Sequence, residues 1–262
     1  MRKHAELLSF YALFGQSDPD MVDSDNRTVI EAAPSGWWYT ARLPHSKRLV
    51  MYTTSPSDTS ARTARTAAGF LDMLHNETTH VAQIIRGAAS EDAGDTAYEM
   101  ETGSKHTHHT SACSAVLEPY AAWEPLSPCG GEKSGAAAGR GWCAVGDAAL
   151  AFDPLSSQGM ITALNAGAFL GGILARHFDI AEPSGEPTGQ LDGESTAGAI
   201  RDAYEQVRVK YEEGRAYYYS IVSRFEVGDD EDCDDPAGRE QKSFWKRLRD
   251  EPGAGMVHSR TL

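Results

Sequence analysis

The chain has 262 residues, of which 40% are hydrophobic, so it is long and apolar enough to bury a large core. Its formal net charge of −14, from 24 Lys and Arg against 38 Asp and Glu, argues against nucleic-acid and membrane partners, which need clustered basic residues. No apolar run reaches the roughly 18–20 residues of a membrane span, and four scattered cysteines without a CxxC pair predict reduced thiols in a cytoplasmic protein.

The first part of the sequence predicts an antiparallel sheet followed by helices. The N-terminal apolar stretch is short and contains Glu6, so we interpret 7–14 as a buried strand rather than as part of a signal peptide. Short runs rich in Val, Ile, Tyr, Trp and Thr, separated by turn signals, predict further strands over 27–33, 36–43 and 48–54. Apolar residues then recur at helical spacing, which predicts one or two helices over 59–86.

The second part alternates short apolar segments with polar or small-residue segments. It contains only two short predicted strands before two predicted helices. In chain order we predict a polar segment (87–110), a strand (112–118), a flexible loop (127–141), a strand (142–145), a small-residue helix (159–178), a linker (180–198), an amphipathic helix (199–225), an acidic loop (228–238) and a closing FWKRLR segment (243–249).

The stretch GDAALAFDPLSSQGM, residues 146–160, joins the second of these strands to the small-residue helix. Gly146 permits close backbone approach, and Asp147 can accept hydrogen bonds from a ribose-like or sugar-alcohol hydroxyl. Residues 156–158 fall at the helix start, where unpaired N–H groups and the helix dipole favour an anionic or carbonyl-bearing ring. Gly159 leaves room for a flat ring.

A plain capped helix explains the same stretch equally well. Ser156 or Ser157 would then be the N-cap, and Asp147 or Asp153 a turn residue. The pattern by itself leaves both interpretations open.

Residues 142–160 resemble the second FAD-binding motif of the class A flavoprotein monooxygenase and flavin-dependent halogenase superfamily, especially its halogenase-like and quinone-cofactor maturation branches. EAAPSGWWYTARLP with RLVMYTT is similar to the substrate-domain strands of that superfamily, and RAYYYSIVSRF with SFWKRL to its C-terminal helix. The resemblance implies an α/β, mixed α+β, para-hydroxybenzoate-hydroxylase-like fold that binds FAD and NAD(P). It also implies an antiparallel substrate-side sheet.

One hallmark of the superfamily, a strand–GxGxxG–helix unit for the ADP part of FAD, is missing from the sequence. GAAAGRG at 135–141 precedes a predicted strand and lacks the order that phosphate binding needs. We therefore expect an N-terminally incomplete fold. Its parts would be a substrate-side sheet with helices (1–120), an FAD-binding strand–turn–helix (121–180), and a linker with a C-terminal helical segment (181–262).

The resemblance implies an FAD-dependent oxidoreductase, with monooxygenase-type oxidation of a small organic substrate and NAD(P)H as reductant. The Trp-x-Trp-x-Ile-Pro pattern of halogenases is not reproduced at 37–44, so hydroxylation or another flavin oxidation is favoured over halogenation. Two alternatives are a maturation partner that modifies a protein client and a non-catalytic remnant unable to bind FAD.

The resemblance also implies roles for individual residues. Asp147 would bind the ribityl chain, Pro154 would lie near the flavin ring, and residues 157–160 would present backbone amides to the pyrimidine side. Trp37 and Tyr39, on one face of a predicted strand, could line a substrate pocket; no catalytic residue is assigned. The candidate cofactor-binding residues are Gly146, Asp147, Pro154, Ser157, Gln158, Gly159 and Met160.

No metal site is predicted. His106, His108 and His109 lie close together in sequence, but without Cys or carboxylates at ligand spacing we interpret them as part of a polar loop. The acidic run at 229–235 lacks the spacing of an EF-hand and is interpreted as a solvated insertion.

Overall fold

The computed structural model describes residues 2–17, 25–86, 97–101, 105–112, 114–125, 139–178, 192–222, 225 and 244–250. These residues form two compact units. The sheet unit is drawn from 6–112 and 218–251, and the Gly146 unit from 1–5 and 113–217.

Eleven strands and six α-helices are formed by the described residues. The strands are β1 (Arg2–Ala5), β2 (Leu8–Gln16), β3 (Val29–Ala33), β4 (Gly36–Leu43), β5 (Lys47–Thr54), β6 (Tyr98–Met100), β7 (His108–Ser111), β8 (Ser114–Val116), β9 (Ala121–Pro125), β10 (Gly139–Cys143) and β11 (Leu150–Ala151). The helices are α1 (Thr59–Thr63), α2 (Ala67–Glu77), α3 (His80–Arg86), α4 (Gly159–His177), α5 (Gly193–Ser220) and α6 (Phe244–Asp250).

The sheet unit is built on an antiparallel sheet in the order β3-β4-β5-β2-β6, with β7 also pairing with β2. The four strands predicted between residues 7 and 54 are confirmed. No strand was predicted in the polar segment 87–110, where β6 and β7 form, and the interpretation of His108 and His109 as part of a polar loop is wrong because both lie in β7. Because all four side chains of β7 are exposed, its sequence shows no alternation, and its pairing with β2 is what makes it a strand.

One face of this sheet packs against α1–α3 and forms the core of the unit. Trp38 lies at its centre, 4.7 Å from the ring of Tyr52 and 5.0 Å, edge to face, from that of Phe70. Three helices form where the sequence predicted one or two. The break between α1 and α2 occurs at Thr66, whose hydroxyl accepts the N–H of Gly69 as an N-cap.

The C-terminal segment belongs to the same unit. The indole Nε1 of Trp245 in α6 donates to the carbonyl of Ala33 at the end of β3 (2.9 Å). The ring of Tyr219 lies 5.7 Å from the Trp245 ring. The predicted FWKRLR segment therefore forms a helix that is fixed to the sheet and that buries Phe244, Trp245 and Leu248.

The Gly146 unit contains a three-stranded antiparallel sheet, β1-β8-β11, and the antiparallel pair β9–β10. The core of this unit contains Leu170 of α4 and Tyr204 of α5 together with Tyr120 and Leu150. α5 begins at Gly193, inside the predicted linker 180–198, because Asp192 accepts the N–H of Ser195 (2.8 Å) and so caps the first turn. Residues 179–191 lie outside the described residues.

Candidate functional site

The chain between β10 and α4 is more elaborate than the predicted strand–turn–helix. β10 ends at Cys143, and a 3₁₀ turn (Gly146–Ala148), β11 and a second 3₁₀ turn (Pro154–Ser156) follow before α4. Gly146 has a φ of +59°, a conformation that favours glycine. A Cβ built on it would lie 3.6 Å from the Cβ of Ala163, so the first turn packs on α4 and the exposed Asp147 lies beside that helix.

The second turn is closed by its own hydrogen bonds. Asp153 is its N-cap and accepts the N–H of Leu155 (2.9 Å). Ser157, at a left-handed φ of 53°, donates its N–H to the carbonyl of Pro154 (3.1 Å). The N–H of Gln158 reaches the hydroxyl of Ser156 (3.4 Å). Two of the four backbone amides predicted to face a ligand therefore already have acceptors within the turn.

The N-terminus of α4 has no side-chain cap. Gln158 is the N-cap residue and its side chain makes no capping hydrogen bond, so neither Ser156 nor Ser157 serves as the predicted cap. The first helix N–H with an acceptor is that of Thr162, which donates to the carbonyl of Gln158 (2.9 Å). The N–H groups of residues 159–161 have no acceptor among the described residues. Ser156 and Ser157 are therefore not the cap of α4, whereas Asp153 is a turn residue, as the capped-helix interpretation expected.

Space and exposure at this helix start suit a flat ligand. A Cβ on Gly159 would meet no atom within 4 Å, and the side chain of Met160 is 83% exposed. Leu164, one turn further, is 75% exposed, and no charged residue occurs on α4 before Arg176. Contrary to the expectation that no apolar run is long enough, α4 alone among the described helices has the length and apolar composition that a membrane span requires, and little of it is buried.

Three residues of α5 reach this segment, and the sequence patterns did not single them out. The hydroxyl of Tyr204 donates to the carbonyl of Ala144 (3.1 Å). The hydroxyl of Tyr211 accepts the N–H of Asp153 (2.9 Å), and Arg215 Nε lies 3.6 Å from the Asp153 carboxylate. Their spacing of seven and four residues, which places all three on one helix face, is the signal that could have found them.

Trp37 and Tyr39, the candidate substrate-lining residues, belong to the sheet unit. Both lie on the face of β4 opposite to Trp38, as their alternation predicted. Trp37 is only 1% exposed, whereas Tyr39 is half-buried and pairs with Met51 on β5. Tyr39 therefore has the more accessible side chain, and substrate contact stays a prediction for both residues.

The described residues contain no cluster of three or more His, Cys, Asp or Glu side chains that could hold a metal ion. His108 instead stacks on Tyr11, with 5.3 Å between ring centroids, and His109 lies against Phe10. Cys143 is a free thiol. The acidic run at 229–235 and the other three cysteines lie outside the described residues.

Comparison with solved structures identifies proteins that share this fold. The flavin-dependent brominase Bmp2 matches 83% of this chain at 13% sequence identity with a TM-score of 0.56. The flavin-dependent halogenase CmlS matches 95% of it at 17% identity with a TM-score of 0.59. The chain has the fold of flavin-dependent halogenases. The predicted mixed fold with antiparallel sheets is thereby confirmed.

The match covers only part of each of these proteins. The chain spans 45% of the length of Bmp2 and 36% of that of CmlS. No family model matches the sequence, and no curated protein does. The fold is therefore what the comparisons give, and the activity has to be argued from the site.

Proposed function

We propose that this chain provides the flavin-binding end of an FAD-dependent oxidoreductase. The observation that carries the proposal is the uncapped start of α4, where the N–H groups of residues 159–161 lack acceptors and Gly159 leaves open space. The shared fold with flavin-dependent halogenases supports it. Unpaired N–H groups at the positive end of a helix attract negative charge, which is what an accepting ring system acquires on reduction.

The residues present fit a flavin in three respects. Asp147 is exposed beside α4, so its carboxylate can accept hydrogen bonds from ribityl hydroxyls. The helix N–H groups can donate to the pyrimidine oxygens and nitrogens and so favour the reduced, more negative ring. Pro154 is partly exposed in the second turn, where its apolar ring can contact one face of the flavin. When bound, FAD supplies electron acceptance and transfer at its ring.

The finer function is part of the same proposal. We infer monooxygenase-type oxidation of a small organic substrate in the cytoplasm, with NAD(P)H as the reductant. Purified protein that consumes NAD(P)H in the presence of FAD without a protein client would support this assignment. A requirement for a client would favour the maturation alternative.

Equilibrium titration of the full chain with FAD tests flavin binding. We compare wild type, Gly159→Leu and the control Gly214→Leu, because a Cβ at either glycine meets open space and both lie in α-helices. Gly159→Leu should weaken FAD binding at least about tenfold by filling the place of the ring, while Gly214→Leu binds as wild type does. A folded, colourless wild type that ignores FAD, or equal binding by Gly159→Leu, would contradict the proposal.

A further inference from the structure

We propose that Tyr204, Tyr211 and Arg215 of α5 are positioning residues that hold the candidate flavin-binding segment at two points, Ala144 and Asp153. The inference rests on the proposed function, because it assigns these residues to the same site. We call residues 144–158, from the carbonyl that Tyr204 contacts to the start of α4, the clamped segment.

The first contact fixes the segment just before Gly146. The hydroxyl of Tyr204 donates to the carbonyl of Ala144 at 3.1 Å. Its ring stacks on Tyr120 at 5.0 Å with an interplanar angle of 21°, and both rings are buried. Leaving a buried hydroxyl without a hydrogen-bond partner costs folding free energy. This hydrogen bond therefore opposes any shift of Ala144 relative to α5.

The second contact fixes the segment at the second 3₁₀ turn. The hydroxyl of Tyr211 accepts the N–H of Asp153 at 2.9 Å, and the Tyr211 ring meets that of Phe152 edge to face at 4.9 Å. Burial raises the pKa of Tyr211 to about 12, so the phenol keeps its proton to a higher pH than an exposed tyrosine does. The Tyr211 side chain thus contacts both the backbone of Asp153 and the ring of the preceding residue, Phe152.

The third contact is electrostatic and buried. Arg215 is 7% exposed and Asp153 1% exposed, and Arg215 Nε lies 3.6 Å from Oδ2 of Asp153. The other carboxylate oxygen, Oδ1, accepts the N–H of Leu155 and so closes the turn that leads into α4. A buried carboxylate is tolerated when an opposite charge and hydrogen bonds compensate it, so the charge of Arg215 contributes to keeping Asp153 ionised as the cap of this turn.

Together the contacts join one helix to two points of the segment. Tyr204, Tyr211 and Arg215 share a face of α5, so a single rigid element holds the chain both before Gly146 and after β11. Asp147 lies within the clamped segment, and the open N–H groups of residues 159–161 follow directly after it. α5 therefore contributes, beside the packing of the Gly146 turn on α4, to fixing their mutual distance, which a flavin would have to match.

The test uses the full chain with Arg215→Met, Arg215→Lys and Tyr211→Phe. The control is Arg208→Met, because Arg208 also lies on α5 but pairs with Glu205 and Glu212 of the same helix. Hydrogen exchange without flavin reports on the amides of residues 155–157, which are hydrogen-bonded within the turn. We expect at least about tenfold faster exchange in Arg215→Met and Tyr211→Phe, partial rescue in Arg215→Lys, and no change in Arg208→Met.

A FAD titration of the same variants completes the test. Arg215→Met should lose affinity relative to Arg208→Met when both are folded. Exchange as slow as in wild type, or unchanged FAD affinity despite faster exchange, would overturn the proposal. If Arg215→Met does not fold, Tyr211→Phe decides by the same two measurements. If wild type exchanges as expected but binds no FAD, the proposed function fails while the clamp on the turn stands.

Discussion

Glu31 on β3 accepts the backbone N–H of Val81 at 2.9 Å, so a strand residue caps helix α3 from 50 positions earlier in the sequence. The same carboxylate also accepts the N–H groups of Thr79 (2.7 Å) and His80 (3.0 Å). Three N–H groups at the start of α3 are thereby satisfied by one nearly buried side chain, at the positive end of the helix dipole.

Glu31→Ala should lower the free energy of unfolding by about 2–3 kcal/mol, because it leaves several N–H groups without acceptors in a mostly buried place. Urea unfolding measures the change. Glu99→Ala, at an exposed position of β6, is the control and should change stability by less than about 0.5 kcal/mol. Equal stability of the two variants would show that the cap contributes nothing.

Glu77 makes stability depend on pH in a predictable direction. Burial raises the pKa of this carboxyl above its ordinary value of 4.5, and the charges of Asp58 and Asp72 add to the shift. Between the ordinary and the raised pKa the folded state binds more protons than the unfolded state, so stability falls as pH rises through that window.

Glu77→Gln should therefore raise the melting temperature at pH 7 and bring little or no gain at pH 4. The gain should stay below about 1 kcal/mol, because the side chain is only partly buried and solvent screens its charge. Thermal melts from pH 4 to pH 7 check this. A difference between variant and wild type that is constant across the series would contradict the assignment of this carboxyl.

Trp37 and Tyr39 lie on the same face of β4 but should respond differently to truncation. Trp37→Ala should cost about 3–5 kcal/mol, because a fully buried indole leaves a large cavity. Tyr39→Ala, at a half-buried position, should cost about 1 kcal/mol. Urea unfolding separates them, and similar losses would show that Tyr39 is a core residue and a poor candidate for substrate contact.

The exposed face of α4 predicts surface hydrophobicity. Leu164→Lys should leave stability within about 0.5 kcal/mol of wild type, since the side chain is 75% exposed. It should also lower the binding of a hydrophobic dye such as ANS and reduce self-association. Leu170→Lys, on the buried side of the same helix, should unfold the protein. A strongly destabilised Leu164→Lys would mean that this face is packed.

Strands and helices can be predicted from the sequence when their own residues show a strand-like or helix-like hydrophobic pattern. The strands between residues 7 and 54 alternate or cluster β-branched and aromatic residues, and α4 has a continuous small apolar sequence, so both are predicted closely. β7 is too short and polar to show a pattern, and its partner β2 lies about a hundred residues earlier, which local reasoning does not reach.

The candidate site also contains some residues that local sequence predicts and others that only the folded chain brings together. The Gly146 turn and the start of α4 were found because their residues are contiguous and resemble a known motif. The uncapped helix start depends on where the hydroxyl of Ser156 points, which is toward the turn rather than toward α4. Tyr211 and Arg215 act through contacts 58 and more residues away, so only the folded chain brings them to Asp153.

In the proposed complex the flavin ring lies at the open start of α4, beside Asp147. Hydrogen exchange of the full chain with and without FAD probes this position, because the amides of residues 159–161 lack acceptors until a ligand supplies them. We expect FAD to slow exchange there and around residues 146–148. Bound FAD that protects other segments while these amides exchange at the rate of the free protein would contradict it.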